Sequence, residues 1–178
     1  MINDGIHQQH ESSEMNDAFN IRFADKQDVP LILNFIRELA EYEKLAHEVI
    51  ATEEILQHNL FGPKVYAEVI IGYLHQEPVS FALFFHHFST FLGQPGIYLE
   101  DLYVKPAVRG QGIGQKMLAY LAHLAKKRNC GRLEWWVLDW NESAISFYKK
   151  LGAKPMDEWT VFRVTGSALY DLASKWEE

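Results

Sequence analysis

Arg109-Gly110-Gln111-Gly112-Ile113-Gly114 stands between a stretch of strand character and an amphipathic helical pattern. Three glycines in five residues free the backbone for conformations that a Cβ blocks and let it approach a ligand closely. The helix that follows turns its free N–H groups and the positive end of its dipole toward this loop. Such an arrangement holds phosphate with backbone, and Arg109 adds a fixed positive charge beside it. Spacing narrows the ligand. A P-loop needs G-x-x-x-x-G-K-[ST], and no such lysine follows here. The dinucleotide fingerprint needs G-x-G-x-x-G, but counting from Gly110 the sixth position is Gln115. What remains is R-x-x-G-x-G, with Gly112 and Gly114 as its glycines.

The neighbours give the loop its setting. Ile97 to Val104 is rich in β-branched and aromatic residues and reads as a strand closed by Lys105-Pro106. Downstream, Ile113, Met117, Leu121 and Leu124 recur at helical spacing, and Arg132 to Leu138 reads as another strand. Asn141 is placed to N-cap a second helix with Ala144, Ile145, Tyr148 and Leu151 on its apolar face. Lys149 and Lys150 suit the negative end of that helix, and Gly152 suits its C′ position. Further upstream, Phe19 to Ala24 is a first strand, and Asp28 caps a helix faced by Leu31, Ile32, Phe35, Ile36 and Leu39. Thr52 starts a shorter helix that ends near Phe61-Gly62-Pro63. Val65 to Ile71 and Val79 to Phe88 are strands joined by a turn containing His75-Gln76-Glu77-Pro78. Thr160 to Val164 reads as a last strand and Ser167 to Trp176 as a last helix. Helices, then a hairpin, then β–α–β–α predict a mixed α/β fold: one sheet flanked by helices rather than a doubly wound parallel sheet.

Composition bounds the function. The 178 residues fit one domain over 19–178, with 1–18 read as a disordered polar tail without an apolar leader region. No run approaches the ~18 apolar residues of a membrane span. Cys130 is the single cysteine, so an internal disulfide is impossible and a reducing cytoplasm fits. The formal charge of −7 speaks against a nucleic-acid partner and suits a cationic one. The eight histidines show no ligand spacing, so no metal is expected.

Strand, glycine loop, helix, strand and N-capped helix with tyrosine resemble the second half of a GNAT acetyltransferase domain, and the likeness covers nearly all of 19–174. Within that superfamily the chain is similar to the diamine group, the spermidine/spermine and thialysine N-acetyltransferases. The residues that carry this are Arg37-Glu38-Leu39-Ala40-Glu41-Tyr42-Glu43-Lys44, Tyr98-Leu99-Glu100-Asp101, the glycine loop, Trp140-Asn141-Glu142, Phe147-Tyr148-Lys149 and Gly152-Ala153. The resemblance implies the GNAT fold with a mostly antiparallel twisted sheet, and a homodimer. It implies transfer of the acetyl group of acetyl-CoA to a small cationic amine: a diamine, a polyamine or a thialysine-like amino acid. Cofactor contacts are implied at Leu102, Tyr103, Val104, Arg109, Gly110, Gln111, Gly112, Ile113, Gly114, Gln115, Asn141, Glu142, Ser143 and Ala144. Amine contacts are implied at Tyr42, Glu43, Glu100, Asp101, Glu158 and Trp159. The acidic stretch before Trp159 and the 72–78 segment are shorter than in the polyamine enzymes, which bears on specificity for spermidine and not on the transfer chemistry.

That chemistry asks for a base and an acid. An alkyl amine, with a pKa near ~10.4, arrives protonated. Glu100 and Asp101 are the carboxylates placed to take its proton. On a regular strand Glu100 shares a face with Tyr98, Leu102 and Val104, and Asp101 with Leu99 and Tyr103. The residues alone leave the choice open, and the resemblance favours Glu100. Tyr148 is the candidate acid for a thiolate leaving group, since a phenol, with a reference pKa near ~10, can donate a proton. Acetylation of a protein lysine or N-terminus and a non-catalytic acetyl-CoA sensor are the alternative readings.

Overall fold

The strand-forming stretches pair into one five-stranded sheet of order β1-β2-β3-β4-β5. The strands are β1 (Phe19–Phe23), β2 (Glu68–Leu74), β3 (Glu77–Ser89), β4 (Gln94–Val104) and β5 (Leu133–Trp135). Successive pairs from β1 to β4 are antiparallel, and β5 joins β4 in parallel. The helices are α1 (Val29–Tyr42), α2 (Glu53–Phe61), α3 (Ile113–Lys127), α4 (Glu142–Lys150) and α5 (Gly166–Ala173). This computed structural model describes residues 19–176, so the tail read at 1–18 lies outside the described residues. Two compact units divide the chain, one running to Trp136 and the other beginning at Val137.

In the first unit, residues opposite one another across the ladder share a face. Arg22, Ile71, Phe81 and Tyr103 form one row, and Phe23, Ile70, Ala82 and Leu102 the other. The first row receives α1. Phe35 stacks on Phe81 with ring centres 5.2 Å apart and stands edge-on to Tyr103 at 6.2 Å. Ile32, Leu39 and Leu60 complete this half of the core. The second row receives α3, where Phe23 meets Tyr120 and Phe84. The helical spacing read in the sequence is the buried stripe of α3: Ile113, Met117, Leu121 and Leu124. Each such side chain contributes about 1.5–3 kcal/mol on burial, and together they fix the glycine loop against the end of β4.

Several local expectations need correction. Asp28 precedes α1 but makes no side-chain cap to it. Its carboxylate instead accepts the Asp25 N–H at 2.8 Å and both Arg22 guanidinium nitrogens at 2.6 and 2.7 Å. A bidentate charged pair outweighs a single capping bond, and Arg22 holds the Asp28 carboxyl below its usual range. The strand expected from Val65 begins only at Glu68, and the one expected over Arg132 to Leu138 pairs only at Leu133–Trp135. Thr160 to Val164 forms no strand. High β-propensity does not make a strand without a ladder partner, and among the described residues nothing pairs with that segment.

The β2–β3 turn is tighter than expected. Leu74 pairs with Glu77 and Pro78 belongs to β3, so the loop is His75-Gln76 alone. Both residues have positive φ, 49° and 69°, as a type I′ turn requires. Histidine is found there several-fold more often than most residues but glutamine is not, so Gln76→Gly is expected to stabilise by about 1 kcal/mol. In a thermal unfolding scan that is a rise of about 2–4 °C; an unchanged or lower midpoint would refute the strain.

Candidate active site

Strand β4 breaks its own alternation at Glu100. Asp101 stands opposite Leu83 and Leu99 opposite Phe84, so Glu100 is an extra residue with no register partner. This is a β-bulge, which shifts the phase of everything beyond it. Tyr98, Asp101 and Tyr103 face Phe85, Leu83 and Phe81 on the α1 side. Leu99, Leu102 and Val104 face Phe84, Ala82 and Ser80 on the α3 side. The regular alternation that grouped Glu100 with Tyr98, Leu102 and Val104 is therefore replaced. Asp101 keeps Tyr103 as a face-mate but exchanges Leu99 for Tyr98, and Glu100 is exposed at the bulge.

The end of α1 meets this part of the strand. Tyr42 is its last residue and Glu43 its C-cap. The Leu45 N–H reaches the Ala40 carbonyl at 2.8 Å and the Lys44 N–H reaches Glu41 at 3.1 Å, a Schellman ending. Its C′ residue is Lys44, at φ 62°, where glycine is usual. Burial raises the pKa of Glu43. Burial, then the nearby charges of Glu100 and Glu43, push Asp101 up to about 7. Carboxylates that share a site cannot all ionise freely, because each charge raises the cost of the next. Tyr103, also raised by burial, is hydrogen-bonded to Glu38.

Beyond Val104 the chain makes a short turn, Pro106–Val108, and enters the glycine loop. Gly110 and Gly112 have φ of 80° and 78°, which explains why glycine occupies these two positions. Gly112 is the N-cap of α3 and offers no side-chain acceptor. Gly114 and Gln115 lie in the first turn, whose N–H groups have no acceptor within the helix. A phosphate fits such a cradle. Arg109 also reaches away from the loop. Its Nε–H donates to the Val104 carbonyl at 2.8 Å, and its guanidinium lies 4.5 Å from the Tyr42 ring centre.

The second unit carries the remaining residues. Asn141 Oδ1 accepts the Ala144 N–H at 3.2 Å and caps α4, as its position predicted. Glu142 and Ser143 form the first turn. At the far end the Gly152 N–H reaches Lys149 at 3.0 Å and the Ala153 N–H reaches Tyr148 at 3.1 Å, a second Schellman ending. Gly152 takes φ 88° there. Tyr148 therefore sits in a fixed last turn, its ring 5.4 Å from that of Phe147. Glu158 and Trp159 lie in the segment between α4 and α5.

The sequence profile of the acetyltransferase (GNAT) family matches residues 32–153. The chain belongs to the GNAT acetyltransferase family. Its enzyme class is N-acetyltransferase. It is 41% identical over 166 residues to a Bos taurus thialysine N-epsilon-acetyltransferase, covering 87% of this chain and 97% of that one. It is 34% identical over 172 residues to a human spermidine/spermine N(1)-acetyltransferase-like protein 1, covering 91% of this chain and 24% of that one. Among solved structures, an integron cassette protein from the mobile metagenome of V. cholerae superposes with a TM-score of 0.75 at 29% identity. That match covers 88% of this chain and 98% of the other. The mixed, mostly antiparallel sheet with flanking helices is thus the fold of a GNAT enzyme. Among the described residues no group of three or more His, Cys, Asp or Glu side chains could hold a metal ion, and no helix is long and apolar enough to cross a membrane.

Two features of this GNAT site had no usable signal in the sequence. The bulge at Glu100 carries neither glycine nor proline. The Tyr103–Glu38 and Arg109–Tyr42 contacts join residues 65 and 67 positions apart (103 − 38 and 109 − 42), beyond the reach of any local pattern.

Proposed function

We propose that this enzyme transfers the acetyl group of acetyl-CoA to a primary amine of a small diamine, polyamine or thialysine-like amino acid by direct attack on the thioester. The observation that carries the amine side is the electrostatic coupling of Asp101 to Glu100 and Glu43. Three carboxylates in one field favour a cation over a neutral amine. The names of the relatives favour the same class, since the thialysine enzyme matches along nearly its whole length.

Bound acetyl-CoA supplies an acetyl thioester. The backbone of Gly110 to Gln115 is suited to its phosphates, and the strand backbone at Leu102, Tyr103 and Val104, next to the bulge, to its acyl and pantetheine portion. By family resemblance Asn141 to Ala144 add contacts to it, although the Ala144 N–H is already engaged by Asn141. Glu43 and Glu100 attract the ammonium, with Tyr42, Glu158 and Trp159 assigned to amine binding by the same resemblance. An Asp101 oxygen takes the proton. A carboxylate titrating near 7 is matched to that task at neutral pH. We thus assign proton acceptance to Asp101, and to Glu100, the base that resemblance favoured, a charge that adds to burial in raising it. The Tyr148 hydroxyl donates a proton to the leaving thiolate. On the same resemblance we propose a cytoplasmic homodimer built on one domain over 19–178; the family match runs through both units.

The test is an amine panel with acetyl-CoA, read as free thiol released: putrescine, spermidine, thialysine, lysine and a histone peptide. Turnover on one or more small amines, well above the peptide, is expected. Turnover on the peptide alone would replace this reading with protein acetylation, and no turnover on any amine would end it.

A further inference from the structure

Arg109 opens the glycine loop, yet its contacts point to the other substrate's side of the site. Its Nε–H is committed to the Val104 carbonyl at 2.8 Å. Its guanidinium carbon lies 4.5 Å from the centre of the Tyr42 ring and 5.5 Å from that of Tyr103. A guanidinium within reach of two aromatic rings is favoured by cation–π attraction to each. Each ring has its own anchor. Tyr42 ends α1 immediately before Glu43, and Tyr103 is packed against Phe35 and hydrogen-bonded to Glu38. One side chain therefore spans the last residue of α1, the end of β4 and the first residue of the loop.

We propose that Arg109 is a positioning residue for the amine: it fixes the Tyr42–Glu43 end of α1 against β4 rather than serving chiefly as a phosphate ligand. This rests on the assignment of Tyr42, Glu43 and Asp101 to the amine side. Glu43 acts on Asp101 through space, so its position sets both where a cation rests and how readily Asp101 accepts a proton. Tyr42 and Lys44 are exposed, and Lys44 occupies a backbone region unfavourable for its side chain. Arg109 supplies a lateral tie there. Its link to the Val104 carbonyl also joins the amine side to the strand that carries the bulge.

Lysine keeps the charge but lacks the planar fork and the stacking face, so Arg109→Lys separates the two roles. The expected result is an amine KM raised about 3–30-fold, with the acetyl-CoA Kd, measured by calorimetry, changed less than about twofold. Hydrogen exchange should quicken at the Glu43, Lys44 and Leu45 amides and stay unchanged at Ile113 to Gln115. In a Tyr42→Leu background the same substitution should raise KM less than it does beside Tyr42. Arg109→Met, which keeps the apolar stem, should behave like Arg109→Lys and guards against misfolding of either variant. An unchanged amine KM in a wild type that turns over amines overturns this inference alone. A parallel loss of acetyl-CoA affinity makes Arg109 a cofactor ligand and overturns it too. Absence of amine turnover in the wild type removes the proposed function and this inference with it.

Discussion

Tyr148→Phe is expected to lower kcat by about 10²–10⁴-fold, the usual contribution of a placed general acid. The acetyl-CoA Kd should move less than about twofold. A phenol placed at the sulfur can hand over its proton as charge builds on the departing thiolate. The substitution removes one oxygen and keeps the ring beside Phe147. It also leaves the backbone bonds that end α4, including the Ala153 N–H to the Tyr148 carbonyl at 3.1 Å. Stopped-flow or steady-state thiol release measures kcat, and calorimetry measures Kd. Wild-type turnover would remove Tyr148 from the mechanism. A fall in kcat matched by an equal rise in Kd would make it a binding residue.

Asp101→Asn carries the second large effect, and its pH dependence is the diagnostic part. With Asp101 pushed up to about 7, the wild type has its base in working form only above that pH. Its kcat/KM should climb through pH 6–8 and then level. Asparagine has no base at any pH, so the loss should reach about 10²–10⁴-fold on the plateau and shrink in acid, where the wild type is also protonated. Glu100→Gln removes one of the charges that raise Asp101, so it should move the inflection to lower pH without abolishing it. An inflection that persists unchanged in Asp101→Asn would assign the titration to another group. Stability runs the opposite way. The folded pKa lies above the ordinary value of 3.8. The contribution of Asp101 to stability is therefore full below about pH 4 and lost as pH rises through 7. Asp101→Asn should match the wild type near pH 4 and exceed it in thermal midpoint at pH 8.

Much of this architecture was legible from local pattern. The stripe of Ile113, Met117, Leu121 and Leu124 could only be a helix with one buried face. Asn141 and Gly152 marked both ends of α4 correctly, because capping depends on residues only a few positions apart. Gly110 and Gly112 read true for the same reason: a positive φ is a single-residue demand. What failed depended on partners outside the element being read. Asp28 was lost as a cap to Arg22. Thr160 to Val164 had strand propensity but no ladder. The Arg109 contact with a ring on α1 likewise has no local signal. The bulge was invisible because any side chain tolerates it, and it changed which carboxylate shares a face with Tyr98.

That bulge makes residue count, more than residue identity, the constraint on this strand. Point substitutions at Glu100 alter a charge and leave the ladder as it is. Losing the residue altogether would restore regular pleating, and every position on one side of the cut would change faces. Were the segment after it to turn over, Tyr103 would leave Phe35 and Glu38, and Leu102 and Val104 would enter the α1 side. As far as the ladder is concerned, many amino acids can therefore stand at position 100, while an in-frame deletion of that one codon should be purged. Chimaeras that graft β4 from an unbulged relative would inherit the same fault, however similar the letters look.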